Sequence, residues 1–258
     1  MTKKLILLTM SITLAAALTG CGDKSSGTKY VPKPPKEPAK FALAAGQEKT
    51  IFPMVVGNQW VYEVQLTTQD ARGQQGNGAT ELTFTVTEVK EVNGGTEGTL
   101  EVTQVDASTK KVQVVDSQIW RVDSTGLYQV KIGIDDAAKK TKVRAFSPPQ
   151  TVIAFPIAED KSFEWKGSAP IGDKVGPASM AGMIKGTLNV DTGIGDLNAL
   201  KVEQIQNWSI NGEDAKMTTT SYWAAGVGLV RMFQQVESSS GAAGMTRLNL
   251  KSKALKAE

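Results

Sequence analysis

Leu82-Thr83-Phe84-Thr85-Val86 sets large apolar side chains against threonines in strict alternation. A period of two places residues 82, 84 and 86 on one face of an extended chain. β-Branched threonine is at ease on a pleated strand, so the stretch predicts a half-buried β-strand. The same alternation continues outward. Leu100 and Val102 alternate with Glu and Thr, and Leu188/Val190, Leu200/Val202 and Leu248/Leu250 repeat the pattern. Tyr128, Val130, Ile132 and Ile134 alternate with Gln, Lys and Gly, which predicts that these four share one buried face. Turn chemistry separates the runs at Asn93-Gly94-Gly95, Ser124-Thr125-Gly126, Gly193-Ile194-Gly195-Asp196, Asn211-Gly212 and Gly241-Ala242-Ala243-Gly244. Eleven to twelve strands follow, with no long amphipathic helix. The expected fold is all-β and mainly antiparallel, a curved sheet or half-barrel.

The β-region also repeats itself. Phe52-Pro53 precedes Gly57, Trp60 and Tyr62, and Phe155-Pro156 precedes Asp160, Phe163 and Trp165 at the same spacings. Trp120 stands six residues before Gly126-Leu127, as Tyr222 does before Gly228-Leu229. These markers predict a tandem duplication with a period near one hundred residues. The expected organisation is a leader at 1–20, a tether at 21–50 and a β-domain at 51–258. The domain holds two repeats, about 51–134 and 155–236, and a C-terminal strand. Pro148-Pro149 is expected to break the chain between strands.

Ahead of the β-region the chain changes character. Lys3 and Lys4 precede an apolar run from Leu5 to Leu18 that is too short for the ~20 residues of a membrane-spanning helix. That order is the order of a secretory signal. Leu18-Thr19-Gly20-Cys21 resembles the lipobox of bacterial lipoproteins. The resemblance implies cleavage between Gly20 and Cys21, lipidation of the Cys21 thiol, and acylation of the new amino group. Two or three acyl chains make a stable anchor, since each buried methylene contributes ~0.8 kcal/mol. Gly22 stands where an Asp would mark inner-membrane retention in enteric-type bacteria. The expected location is therefore the cell envelope: the outer membrane if there are two, otherwise the outer face of the cytoplasmic membrane. Pro32, Pro34, Pro35 and Pro38 then favour a stiff polyproline II spacer.

Composition narrows the chemistry. Cys21 is the single cysteine, which leaves no intrachain disulfide. Lys and Arg number 29 against 26 Asp and Glu, and two of those lysines lie in the leader, so the mature chain is nearly neutral. A nucleic-acid partner is not expected. Histidine is absent, which removes the usual general base, the His-dependent nucleophile arrangements and the commonest transition-metal ligand. The acids at Asp135-Asp136, Glu159-Asp160, Asp191 and Asp196 sit in turn-like stretches and read as solvated loop charges. Ser26-x-x-Lys29 and Ser108-x-x-Lys111 lack the companion motifs that Ser/Lys catalysis needs. No catalytic residue, metal or cofactor is expected.

Phe52-Pro-Met-Val-Val-Gly-Asn-Gln-Trp-Val-Tyr62 and Tyr222-Trp-Ala-Ala-Gly-Val-Gly-Leu-Val-Arg231 resemble segments of a broad group of uncharacterised bacterial envelope proteins. A lipoprotein built on one antiparallel sheet is also similar, at the level of fold, to the LolA/LolB-like carriers, which hold acyl chains in a half-barrel. Two functions are expected on these grounds. The first is a non-enzymatic binding or scaffolding module, fixed to a membrane by its lipid and meeting an envelope protein or ligand. The second is a carrier or sensor of a hydrophobic ligand. Trp60, Trp165, Met180, Met183 and Trp223 are the candidate groove residues, and 168–184 is expected to be a long β-loop, the alternative being a flexible Met-bearing loop over the groove.

Overall fold

The computed structural model describes residues 48–256 apart from 107–108, 136–140, 172–173 and 211. The leader, Gly20, Cys21 and the proline-rich tether lie outside the described residues. A single 3-10 turn, Glu48–Ile51, leads into twelve strands. They are β1 (Gln59–Gln69), β2 (Gln75–Val92), β3 (Gly95–Val105), β4 (Val112–Asp123), β5 (Gly126–Asp135) and β6 (Thr141–Ala154). The second six are β7 (Ser162–Ile171), β8 (Lys174–Thr192), β9 (Gly195–Ile210), β10 (Glu213–Ala224), β11 (Gly228–Ser238) and β12 (Ala243–Ala254). Each strand pairs antiparallel with its neighbours in sequence, and β1 pairs with β12 to close the barrel. The fold is all-β. The curved sheet expected from the sequence continues round until no free edge remains, the arrangement that removes unpaired ladder groups.

The Leu82-Phe84-Val86 face is buried as its alternation predicts, at 0, 6 and 0% exposure. It joins Leu100, Val102, Leu200, Val202, Leu248 and Leu250 in one apolar core at one end of the barrel. The chain before β1 plugs that end. Ile51 is fully buried and Phe52 nearly so. Phe52 lies 5.5 Å from the Trp60 ring, 5.4 Å from Trp120 and 6.0 Å from Trp223. Trp60 and Tyr62 reach across the interior and donate to the carbonyls of Val227 and Leu229. A smaller apolar cluster with Ile132, Phe146, Trp165, Met180 and Trp208 forms nearer the far end.

The two halves, β1–β6 and β7–β12, are built alike around their entry turns. Gly57 donates its N–H to Val86 O, and Val86 N–H donates to Asn58 O. Asp160 and Lys161 make the same pair of bonds with Ile184. Gly57 and Asp160 both have positive φ, 88° and 56°. Asn58 Nδ2 donates to Pro53 O, and Lys161 Nζ donates to Phe155 O and Pro156 O. The repeats drawn from the sequence take in the first five strands of each half, and β6 and β12 are the sixth.

Three expectations are corrected. Pro148 and Pro149 lie inside β6, not between strands. β6 meets β7 only at Ser147↔Ser168, and a missing N–H costs little at so thin a seam. Residues 168–171 and 174–184 form no loop. They are the paired ends of β7 and β8, in register from Ser162↔Met183 to Ile171↔Lys174. Their small residues face large neighbours, as Gly182 does the Phe163 ring. Finally, Tyr128 and Val130 do not share the Ile132 face. Register shifts at Ile119/Trp120 and Gln129/Lys131 pass over Val130, bringing Ile132 onto the inward face with Gln129.

Candidate functional site

Strand pairing carries side-chain direction round the barrel, so the interior reads as levels. Across β9–β10–β11–β12 the aligned set Val202, Ser221, Met232, Leu248 is followed by Gln204, Thr219, Gln234, Thr246. The first set belongs to the plugged end. The second begins a polar belt that continues through Gln104, Gln118, Gln129, Gln150 and Gln206. Burial of an unpaired amide is costly, so the belt is expected to be bonded.

It largely is. Gln150 Nε2 donates to Gln206 Oε1 at 2.8 Å, and Gln104 Nε2 to Thr80 Oγ1 at 2.8 Å. Gln118 Nε2 donates to the buried Asp116 carboxylate at 2.7 Å, while Gln118 Oε1 accepts from Trp120 Nε1 at 2.9 Å. Gln204 Nε2 lies near the carbonyls of Thr151 and Val152 at 3.4 and 3.3 Å, and Gln234 Nε2 near Thr219 Oγ1 at 3.4 Å. Two members differ: Gln129 Nε2 and Thr246 Oγ1 are buried and have no hydrogen-bond partner, and of the two Gln129 lines the cavity.

Beside Gln129 the interior opens into a cavity of about 90 Å³. The indoles of Trp120 and Trp223 lie on its plugged side, 6.1 Å apart at 60°. Ile132, Phe146, Met180 and Met217 line it towards the far end, and Gln129, Gln150, Gln206 and Gln234 supply its polar atoms. No Asp, Glu, Lys or Arg is among the described lining residues. The site thus combines an aromatic floor, flexible thioether walls and neutral amides, and it offers no counter-charge to an ion.

The expected groove residues are dispersed by this geometry. Trp223 and Met180 line the cavity. Trp60 is 1% exposed within the plug, where it stacks on Phe52. Trp165 sits behind the cavity wall, against Phe146, with its Nε1 donating to Pro148 O at 3.1 Å. Met183 is half-buried in β8, paired with Ser162 and Glu203. Sequence reading missed Trp120 as a lining residue and missed the whole amide belt. Glutamines that alternate within β9 and β11 could have signalled it, since Gln204/Gln206 and Gln234 lie in register with buried apolar positions.

The described candidate acids lie at strand ends and in a turn. Asp191 pairs with Asp196 across the β8–β9 hairpin, Asp160 lies 4.0 Å from Lys185 at the surface, and Asp136, Ser26 and Ser108 lie outside the described residues. Among the described residues, no group of three or more Asp, Glu, His or Cys side chains is placed to hold a metal ion. No described helix is long and apolar enough to cross a membrane.

Neither protein-family models nor curated proteins give any match to the chain. Solved structures give distant likenesses. A chain described as a lipoprotein from Parabacteroides distasonis has 14% identity and a TM-score of 0.47, over 79% of this chain and 98% of that one. A chain from Bacteroides fragilis, described as exported and of YmcC-like fold, has 15% identity and a TM-score of 0.44, over 79% and 98%. The hypothetical lipoprotein YmcC from Escherichia coli has 7% identity and a TM-score of 0.34, over 82% and 91%. At this degree of likeness the site's own geometry bears the weight of any functional reading.

Proposed function

We propose that the protein is a lipid-anchored, non-enzymatic binding module of the cell envelope, and that the barrel interior is where it binds. The cavity beneath Trp120 and Trp223 carries this reading: it lies within the barrel, partly open to solvent, and is lined by both apolar and hydrogen-bonding groups. Such mixed lining is characteristic of sites for small organic ligands. The anchor rests on the Leu18–Cys21 lipobox and the run before it. Absence of histidine and of charged lining residues supports binding over catalysis.

A carrier of whole acyl chains is the second reading, favoured by Ile132, Phe146 and Met217 on the far side of the cavity. Its volume argues against it. About 90 Å³ is less than the ~150 Å³ of a cavity that takes benzene, so the room inside suits a small ligand or one end of a larger one. Native mass spectrometry of the protein released from its own membranes tests the proposal. A stoichiometric small-molecule adduct is expected. The bare polypeptide and its anchor as the sole species would contradict it.

A further inference from the structure

We infer that the luminal ligand is uncharged and presents a hydrogen-bond acceptor to Gln129, with its apolar part between the two indoles and the thioether wall. This rests on the proposal that the lumen binds, and adds what it selects. Gln129 is 9% exposed, lines the cavity, and holds an amide donor with no partner in the protein. Most of the belt takes part in bonds, Thr246 Oγ1 being the other belt atom that is buried without a partner among the described residues. A buried donor left unmade is destabilising, whereas an acceptor delivered by a ligand recovers that loss on binding. Gln129 follows buried Leu127 by two residues and shares its inward face, and the register shift just after it, where Val130 is passed over in both pairings, brings Ile132 onto that face as well.

The rest of the lining restricts what carries the acceptor. An anion or cation would lose its hydration and find no counter-charge among the described lining residues. A carbonyl or ether oxygen on a short apolar body matches both halves of the site: an ester, an amide or a ketone.

Three probes of similar size separate the terms: methyl butyrate, sodium butyrate and n-pentane. Each is titrated into the full mature chain while the indole N–H signals of Trp120 and Trp223 are followed by NMR. Methyl butyrate is expected to bind at least about fivefold more tightly than pentane, the worth of one hydrogen bond, and butyrate more weakly than either. Gln129→Leu should remove the ester's advantage and leave pentane binding intact. Gln129→Met serves the same purpose if the leucine variant does not fold, and if neither folds the wild-type ranking decides. Pentane binding as tightly as the ester, or an ester-to-pentane ratio unchanged in the variant, overturns this inference while luminal binding stands. No shift at Trp120 or Trp223 with any probe overturns both.

Discussion

Trp120 and Trp223 hold equivalent places in the two halves of the barrel and meet inside it, their ring centroids 6.1 Å apart. Each sits at a register shift, and each donates its indole N–H to the side chain two residues before it: Gln118 Oε1 and Ser221 Oγ, both at 2.9 Å. Unbroken alternation along β4 and β10 turns both rings into the lumen on the same faces as Gln118 and Ser221, and these acceptors fix their tilt. The sequence marker had paired Trp120 with Tyr222. The shift at Tyr222/Trp223 moves that correspondence by one residue.

Removing one of these acceptors leaves a buried donor unmade. Ser221→Ala is expected to destabilise the protein by about 1–3 kcal/mol. Urea denaturation monitored by circular dichroism checks this, with the unfolding slope unchanged. A loss below the error of the fit would show that the indole is not held in this way.

Phe52 joins the plug to the lumen. Its ring contacts Trp60, Trp120 and Trp223 at 5.4–6.0 Å and is 5% exposed. Phe52→Ala should cost about 3–5 kcal/mol, from lost burial and the cavity left behind. Because the hole adjoins both indoles, their fluorescence should become more accessible to acrylamide in the native state.

Gly57 and Asp160 test the likeness of the two halves. Both occupy left-handed backbone at the same turn position, but only glycine does so without strain. Gly57→Ala is expected to destabilise by about 1–2 kcal/mol. Asp160→Gly is expected to be neutral or stabilising by under about 1 kcal/mol, relief of strain being offset by chain entropy. Thermal melts of the two variants measure opposite responses at equivalent sites.

The wall of the barrel was legible in the sequence, and its contents were less so. Leu82, Phe84 and Val86 announced their strand because nothing interrupts their alternation. The Tyr128–Ile134 run misled, because a bulge cannot be seen in a hydrophobic pattern: it changes which face a residue joins without changing the residues. Closure was not legible either, since it depends on β1 meeting β12 nearly two hundred residues later. Of the groove candidates, Trp223 and Met180 line the cavity, because an apolar residue signals burial by itself. The amides beside them carry no such signal, since a glutamine in a strand reads as solvent-facing.

Tyr62 gives the fold a pH limit. Burial pushes its phenol far above the usual value of 10.0, and its O–H donates to Leu229 O at 2.8 Å. The folded state therefore keeps the proton while the unfolded chain loses it near pH 10. The stability this residue contributes is whole below pH 10 and declines as pH rises above it. Tyr62→Phe should flatten part of that alkaline decline, at a cost near neutral pH of about 1 kcal/mol for the lost hydrogen bond. Urea midpoints between pH 8 and 11.5 show both effects.

The claim that the lumen binds is tested most directly by a crystal structure of the protein taken from its own membranes, with no small molecule added. Between Trp120, Trp223 and Gln129 it is expected to show connected density for an uncharged molecule, with an acceptor atom about 3 Å from Gln129 Nε2. Separate water peaks there, or side chains collapsed into the space, would contradict the account.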